Sequence, residues 1–88
     1  MKMVIVGTKD LAADAFGRPF YVPSIGVAIR SFTDEVNRQA EDNQMYHHPE
    51  DFQLYHFGEF DDNTGQFILL EIPKMLIPAK QAKITSVE

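Results

Sequence analysis

The chain has 88 residues, no cysteine and a formal net charge of −5, which bounds it to one small domain and excludes disulfides and thiolate metal sites. A core of this size is marginal unless the chain is stapled or oligomeric. The N-terminus lacks the pattern of a signal peptide and no apolar run approaches the roughly 20 residues of a membrane span, so a soluble product without membrane contact is expected in a reducing cytoplasm.

Met3 to Gly7 is a short apolar run rich in β-branched residues, and at this length it predicts a buried strand rather than a helix. Lys9 to Ala15 reads as a connection. Phe16 to Pro23 holds Gly17, Pro19 and Pro23 among aromatic residues. Prolines this close exclude a helix and a central strand, leaving an extended or edge segment.

Ser24 is the expected N-cap of a helix. Ile25, Ala28, Ile29, Phe32 and Val36 follow at three- and four-residue spacing and make one apolar face. Arg30, Asp34, Asn37, Arg38 and Glu41 occupy or adjoin the opposite face, with Asp34 and Arg38 spaced for an i,i+4 ion pair. The periodicity fades after Ala40, and Glu41 to His48 reads as a loop. Pro49 to Asp51 suits a single helical turn.

Residues 52 to 72 read as a β-hairpin reversing at Asp61 to Gly65, where Asn63 and Gly65 best tolerate positive φ. Simple alternation puts Phe52, Leu54, His56, Gly58 and Phe60 on one face and Gln53, Tyr55, Phe57 and Glu59 on the other. On the returning strand Ile68, Leu70 and Ile72 oppose Phe67, Leu69 and Glu71. Both faces are apolar, so the hairpin needs cover on two sides. The predicted fold is α+β: one amphipathic helix packed on a small, mainly antiparallel sheet with a C-terminal β-hairpin. Residues 1–72 form the domain, and 73–88 form an arm, apolar between Pro73 and Pro78, that suits docking in an extended form.

Charge is unevenly spread. Lys2, Lys9, Arg18 and Arg30 against Asp10 and Asp14 give residues 1–33 a charge of +2, whereas nine carboxylates against Arg38 give residues 34–62 a charge of −8. Residues 63–88 carry +1, from Lys74, Lys80 and Lys83 against Glu71 and Glu88. The acidic block repels a phosphate backbone, so any contact with nucleic acid must use a local face.

Three blocks resemble a known family. They are Phe16-Gly17-Arg18-Pro19-Phe20; Val27-Ala28-Ile29-Arg30-Ser31-Phe32 with Val36-Asn37; and His48-Pro49-Glu50-Asp51-Phe52, Leu54-Tyr55 and Gly58-Glu59-Phe60-Asp61-Asp62-Asn63-Thr64-Gly65. In this order and spacing they are similar to the small nonstructural protein of the gokushoviruses, single-stranded DNA microviruses of bacteria. The resemblance implies a nonstructural phage protein that binds DNA or acts in genome replication and packaging. Residues 73 to 88 match no pattern of that family.

Little in the chain points to catalysis or metal. His47, His48, Asp51 and His56 are the only cluster of metal-ligand types, and their spacing matches no zinc pattern. Glu59, Asp61 and Asp62 flank a turn, where Asp is expected for backbone hydrogen bonding. Ser24, Ser31 and Ser86 lie in no nucleophile elbow, and there is no glycine-rich phosphate loop. No enzyme activity, metal or cofactor is expected.

For single-stranded DNA the relevant combination is an aromatic platform with local positive charge. Arg18, Phe20 and Tyr21, supported by Lys9 and Arg30, are the candidate contacts. The competing account packs Phe16, Phe20 and Tyr21 over the helix and leaves Arg18 solvated. A homo-oligomer, most simply a dimer, is expected, with Tyr55, Phe57 and Phe67 at the interface. The other class of function is an acidic dimeric module that binds a host or viral protein, such as a replication protein, without touching DNA.

Overall fold

The computed structural model describes residues 1–84. Residues 85–88, the end of the expected arm with Ser86, lie outside the described residues. Strand β1 (Lys2–Asp10) is followed by two short strands, β2 (Ala15–Phe16) and β3 (Phe20–Val22). Then come helix α1 (Ile25–Val36), a short helix α2 (Gln44–His47) and a 3-10 turn (Pro49–Asp51). Strands β4 (Phe52–Asp61) and β5 (Gln66–Pro78) and a final turn of helix, α3 (Ala79–Ala82), complete the α+β fold. The five strands form one antiparallel sheet in the order β2-β1-β4-β5, with β3 joining β2 on the same edge of β1.

Several local expectations hold. Ser24 caps α1, its hydroxyl accepting from the Val27 N–H at 3.2 Å, which satisfies one of the orphan donors of the first turn. Phe16 to Val22 forms edge strands, as its prolines require. The hairpin turns at Asp61 to Gly65: the Gly65 N–H donates to the Asp61 carbonyl at 2.7 Å, and Gly65 takes φ 76°. Asn63 does not adopt positive φ; its N–H donates to the Asp61 carboxylate at 2.9 Å instead.

The core lies between one sheet face and the helices. Val4 and Val6 of β1, Val22 of β3 and Leu54 of β4 pack on Ala28, Phe32 and Val36 of α1 and on Ala79 and Ala82 of α3. The α1 residues are four apart and form the stripe read from the sequence. Full burial of a side chain such as Leu54 stabilises by about 1.5–3 kcal/mol.

Lys9 and Asp10 prolong β1 and Ala15 opens β2, where a plain connection is expected, and four larger features also differ from the sequence reading. The segment Glu41 to His48 is not all loop, because Asn43 caps α2 through its side chain, which accepts from the Met45 N–H at 3.2 Å. Arg38 does not pair with Asp34. The helix ends at Val36, so the i,i+4 geometry is lost and Arg38 binds Glu35 through Nε at 2.9 Å and Nη2 at 2.8 Å.

The third difference decides which residues share a face. On β1, Ile5 and Val6 pair with Gly58 and His56, so Phe57 is unmatched and forms a β-bulge. One inserted residue reverses the alternation beyond it. Gly58 and Phe60 therefore leave the face of Leu54 and His56 and join that of Tyr55. Gly58 takes φ 148°, a conformation that glycine tolerates and L-residues do not.

The fourth concerns the C-terminal segment. The expected boundary at residue 72 falls inside β5, which runs on to Pro78. Its register with β4 jumps from Gly58–Leu69 to His56–Lys74, so Leu70 to Pro73 form a bulge without partners on β4, and then the pairing resumes. At about 3.3 Å per residue the 10-residue β4 that it flanks spans roughly 33 Å, within a molecule of 50 × 25 × 20 Å. Ala79 and Ala82 then bury α3 against the core.

Candidate nucleic-acid interface

Helix α1 covers one face of the sheet, and the other face carries the aromatic residues. Strand alternation sends Ile5, Gly7 and Lys9 of β1 to that second face, and pairing adds Tyr21 opposite Ile5 and Phe16 opposite Lys9. The bulge contributes Phe57 and Phe60, and β5 contributes Phe67 opposite Phe60. A groove of about 400 Å³ runs between these strands, lined by Ile5, Phe16, Gly17, Pro19, Tyr21, Phe57, Phe67 and Leu69.

The rings hold one another in place. Phe16 meets Tyr55 edge-on at 5.1 Å between centroids and Phe57 at 5.4 Å; Tyr21 meets Phe60 at 5.9 Å, and Phe60 lies 4.9 Å from Phe67. Contacts of this kind contribute about 0.5–1.5 kcal/mol each beyond burial. Ile5 is buried at the floor, whereas Phe16, Tyr21 and Phe67 remain 42%, 47% and 56% exposed. These rings keep exposed surface while each touches another ring of the same face.

Positive charge sits beside the rings. The Lys9 ammonium lies 5.5 Å from the centre of the Phe16 ring and 3.6 Å from the Asp14 carboxylate. Arg18 is exposed between Gly17 and Pro19, which both line the groove. The alternation that gathers the aromatics turns Glu59 and Asp61 to the opposite face, since they pair with Val4 and Lys2 there. Asp62 binds the Met1 amine at 2.7 Å. Most of the acidic block is thus carried on α1, on the segment after it, or on the helix-side face of β4.

The expected contacts do not all meet. Lys9, Arg18 and Tyr21 belong to the groove or its rim. Phe20 pairs with Val6 and so projects to the helix side of the sheet, and Arg30 is exposed on α1, away from the groove. Tyr55, Phe57 and Phe67 do share the aromatic face. Phe67 is open, whereas Tyr55 and Phe57 are half-buried against Phe16, and the Tyr55 hydroxyl donates to Gln53 at 3.1 Å. Phe60 and Ile5 are the members that sequence reasoning missed. The signal for Phe60 was Gly58, a glycine inside a strand pattern, which marks a bulge.

The polar candidates have local roles. The Asp61 carboxylate organises the turn, and the His56 ring contacts the Gly58 carbonyl through Nε2 at 3.2 Å. His47 Nε2 lies 3.0 Å from the Ala40 carbonyl. The ligand atoms of His48, Glu50 and Asp51 lie within 4.8 Å of one another in an exposed cluster, with His48 Nδ1 3.6 Å from Glu50. Among the described residues no helix is long and apolar enough to cross a membrane.

The family model described as phage ORF5 protein matches residues 3–82. The chain belongs to the phage ORF5 protein family. The matched span takes in helix α1 and, but for Lys2, all five strands, so it includes the aromatic face. No curated protein and no solved structure matches the chain.

Proposed function

We propose that this member of the phage ORF5 family is a nonstructural protein that binds single-stranded DNA during genome replication or packaging, in the host bacterial cytoplasm. The resemblance to the gokushovirus small nonstructural protein supports this role. The observation that carries it is the aromatic face: Phe16, Tyr21 and Phe67 exposed on one side of the sheet, Lys9 and Arg18 beside them, and the β4 carboxylates turned away. Stacking contributes about 1–3 kcal/mol per base, so two or three rings suffice for binding despite the net charge. The chemistry needed is non-covalent, and the protein acts without metal, cofactor or catalytic residue.

The test is a titration of a labelled oligonucleotide at two salt concentrations. With Lys9 and Arg18 as the groove cations, the salt slope is shallow, roughly 0.7 per phosphate neutralised. Arg18→Ala weakens binding and flattens the slope, whereas Tyr21→Ala weakens binding and leaves the slope unchanged. Phe20→Ala and Arg30→Ala, on the helix side, leave both unchanged.

A second reading rests on the apolar exposure of β5, where Leu69 and Ile72 are 63% and 72% exposed. On this reading the protein is an acidic dimeric module that binds a viral or host replication protein without DNA. Absence of oligonucleotide binding at low salt, together with co-purification of such a partner that Phe67→Ala abolishes, would favour it.

A further inference from the structure

β5 is the outer strand of the sheet, and no described element pairs with its free edge. Natural proteins protect such edges with proline, lysine and bulges. Here those devices all follow Leu69: Pro73, Lys74 and the bulge from Leu70 to Pro73. The other end, Gln66 to Leu69, pairs regularly with β4 and has no charge, proline or bulge.

That unprotected end is also apolar on both faces. Phe67 and Leu69 point to the aromatic side, and Ile68 to the helix side beyond the cover of α1. With Leu70 and Ile72, at 40% and 72% exposure, these residues form one run of exposed apolar side chains, of the kind that marks an interaction site.

We propose that two copies of this chain pair antiparallel along the open edge of β5, about a two-fold axis at Ile68, and extend the sheet across the seam. Antiparallel pairing sets Ile68 opposite the partner's Ile68 and Phe67 opposite the partner's Leu69, on the same face. Charge favours the same direction. Lys74 lies toward one end of the strand and Asp61 and Asp62 at the turn beyond the other, so antiparallel copies bring opposite charges together, whereas parallel copies align like with like.

The two-fold axis is perpendicular to the sheet, so both aromatic grooves emerge on one side. Tyr55 and Phe57 stay within each copy, and only Phe67 of the expected interface residues reaches the seam. On the DNA-binding reading, and resting on it, the dimer offers one strand two platforms in succession.

The pairing is tested without DNA, so its failure is distinct from failure of that reading. The full chain is measured by sedimentation equilibrium at high micromolar concentration, alongside Ile68→Lys and Ile68→Cys. The wild type is a dimer, and Ile68→Lys is monomeric with an unchanged circular dichroism spectrum. The chain has no native cysteine, so Ile68→Cys, directly opposite its own copy across the seam, forms a covalent dimer on mild oxidation. Ser31→Cys on the exposed face of α1 does not. A monomeric wild type, a dimer indifferent to Ile68→Lys, or cross-linking no better at Ile68 than at Ser31 overturns the proposal.

Discussion

Gly58 and Leu69 pass so close between β4 and β5 that a Cβ on Gly58 would stand 2.7 Å from the Leu69 Cα, with the Ile68 carbonyl oxygen nearer still. Both obstacles are backbone, so neither can rotate away. Gly58→Ala should therefore destabilise by about 3 kcal/mol, through overpacking and a disallowed φ together. Gly65→Ala is the control: its φ is 76° but nothing lies within 4 Å of the added methyl, so only the left-handed conformation counts, about 1–2 kcal/mol. Urea unfolding of both variants measures the difference.

Asn43 ties the end of α1 to the start of α2. Its side-chain amide donates to the Glu35 and Arg38 carbonyls at 2.8 Å each, and its oxygen accepts from the Met45 N–H. It is the buried polar side chain of the described core, at 4% exposure. Asn43→Ala removes all three bonds at once and is expected to cost about 2–3 kcal/mol, read from the midpoint of thermal or urea denaturation.

Leu54 is fully buried where β4 meets α1 and α3. Leu54→Ala opens a cavity between three elements that cannot all collapse together, and a loss of about 2–5 kcal/mol is expected. In a domain this small such a loss should leave the variant partly unfolded at room temperature, visible as reduced far-ultraviolet ellipticity.

The Arg38 guanidinium donates to Glu35 and holds its carboxyl below the usual carboxylate range. A carboxylate with a folded pKa below its unfolded one stabilises the fold above the unfolded value, and that contribution is lost as pH falls through the folded value. Both side chains are substantially exposed, so the effect is small and screened. Glu35→Gln should melt slightly below the wild type at neutral pH and low salt. The gap should close in acid, and also in high salt.

The features legible in the sequence were those set by local chemistry. Ser24, the three- and four-residue apolar spacing of α1, the prolines flanking β3 and the Asp61 to Gly65 turn each act over a few residues, and each formed where its residues predict. The aromatic composition of the hairpin was equally visible. Which face each ring occupies was not, because face depends on register, and register is a property of two strands rather than one. The extra residue at Phe57 carried Phe60 to the side of Tyr55 and turned Glu59 and Asp61 away from it, so the same residues became a continuous aromatic surface with the β4 acids behind it. Phe20 and Arg30 were separated from Tyr21 for a related reason: alternation in β3 and the packing of α1 send neighbours in sequence to opposite sides of the sheet. Tertiary structure also set the partner of Arg38, the burial of Asn43 and the length of β5, since each depends on where an element ends and what then packs against it.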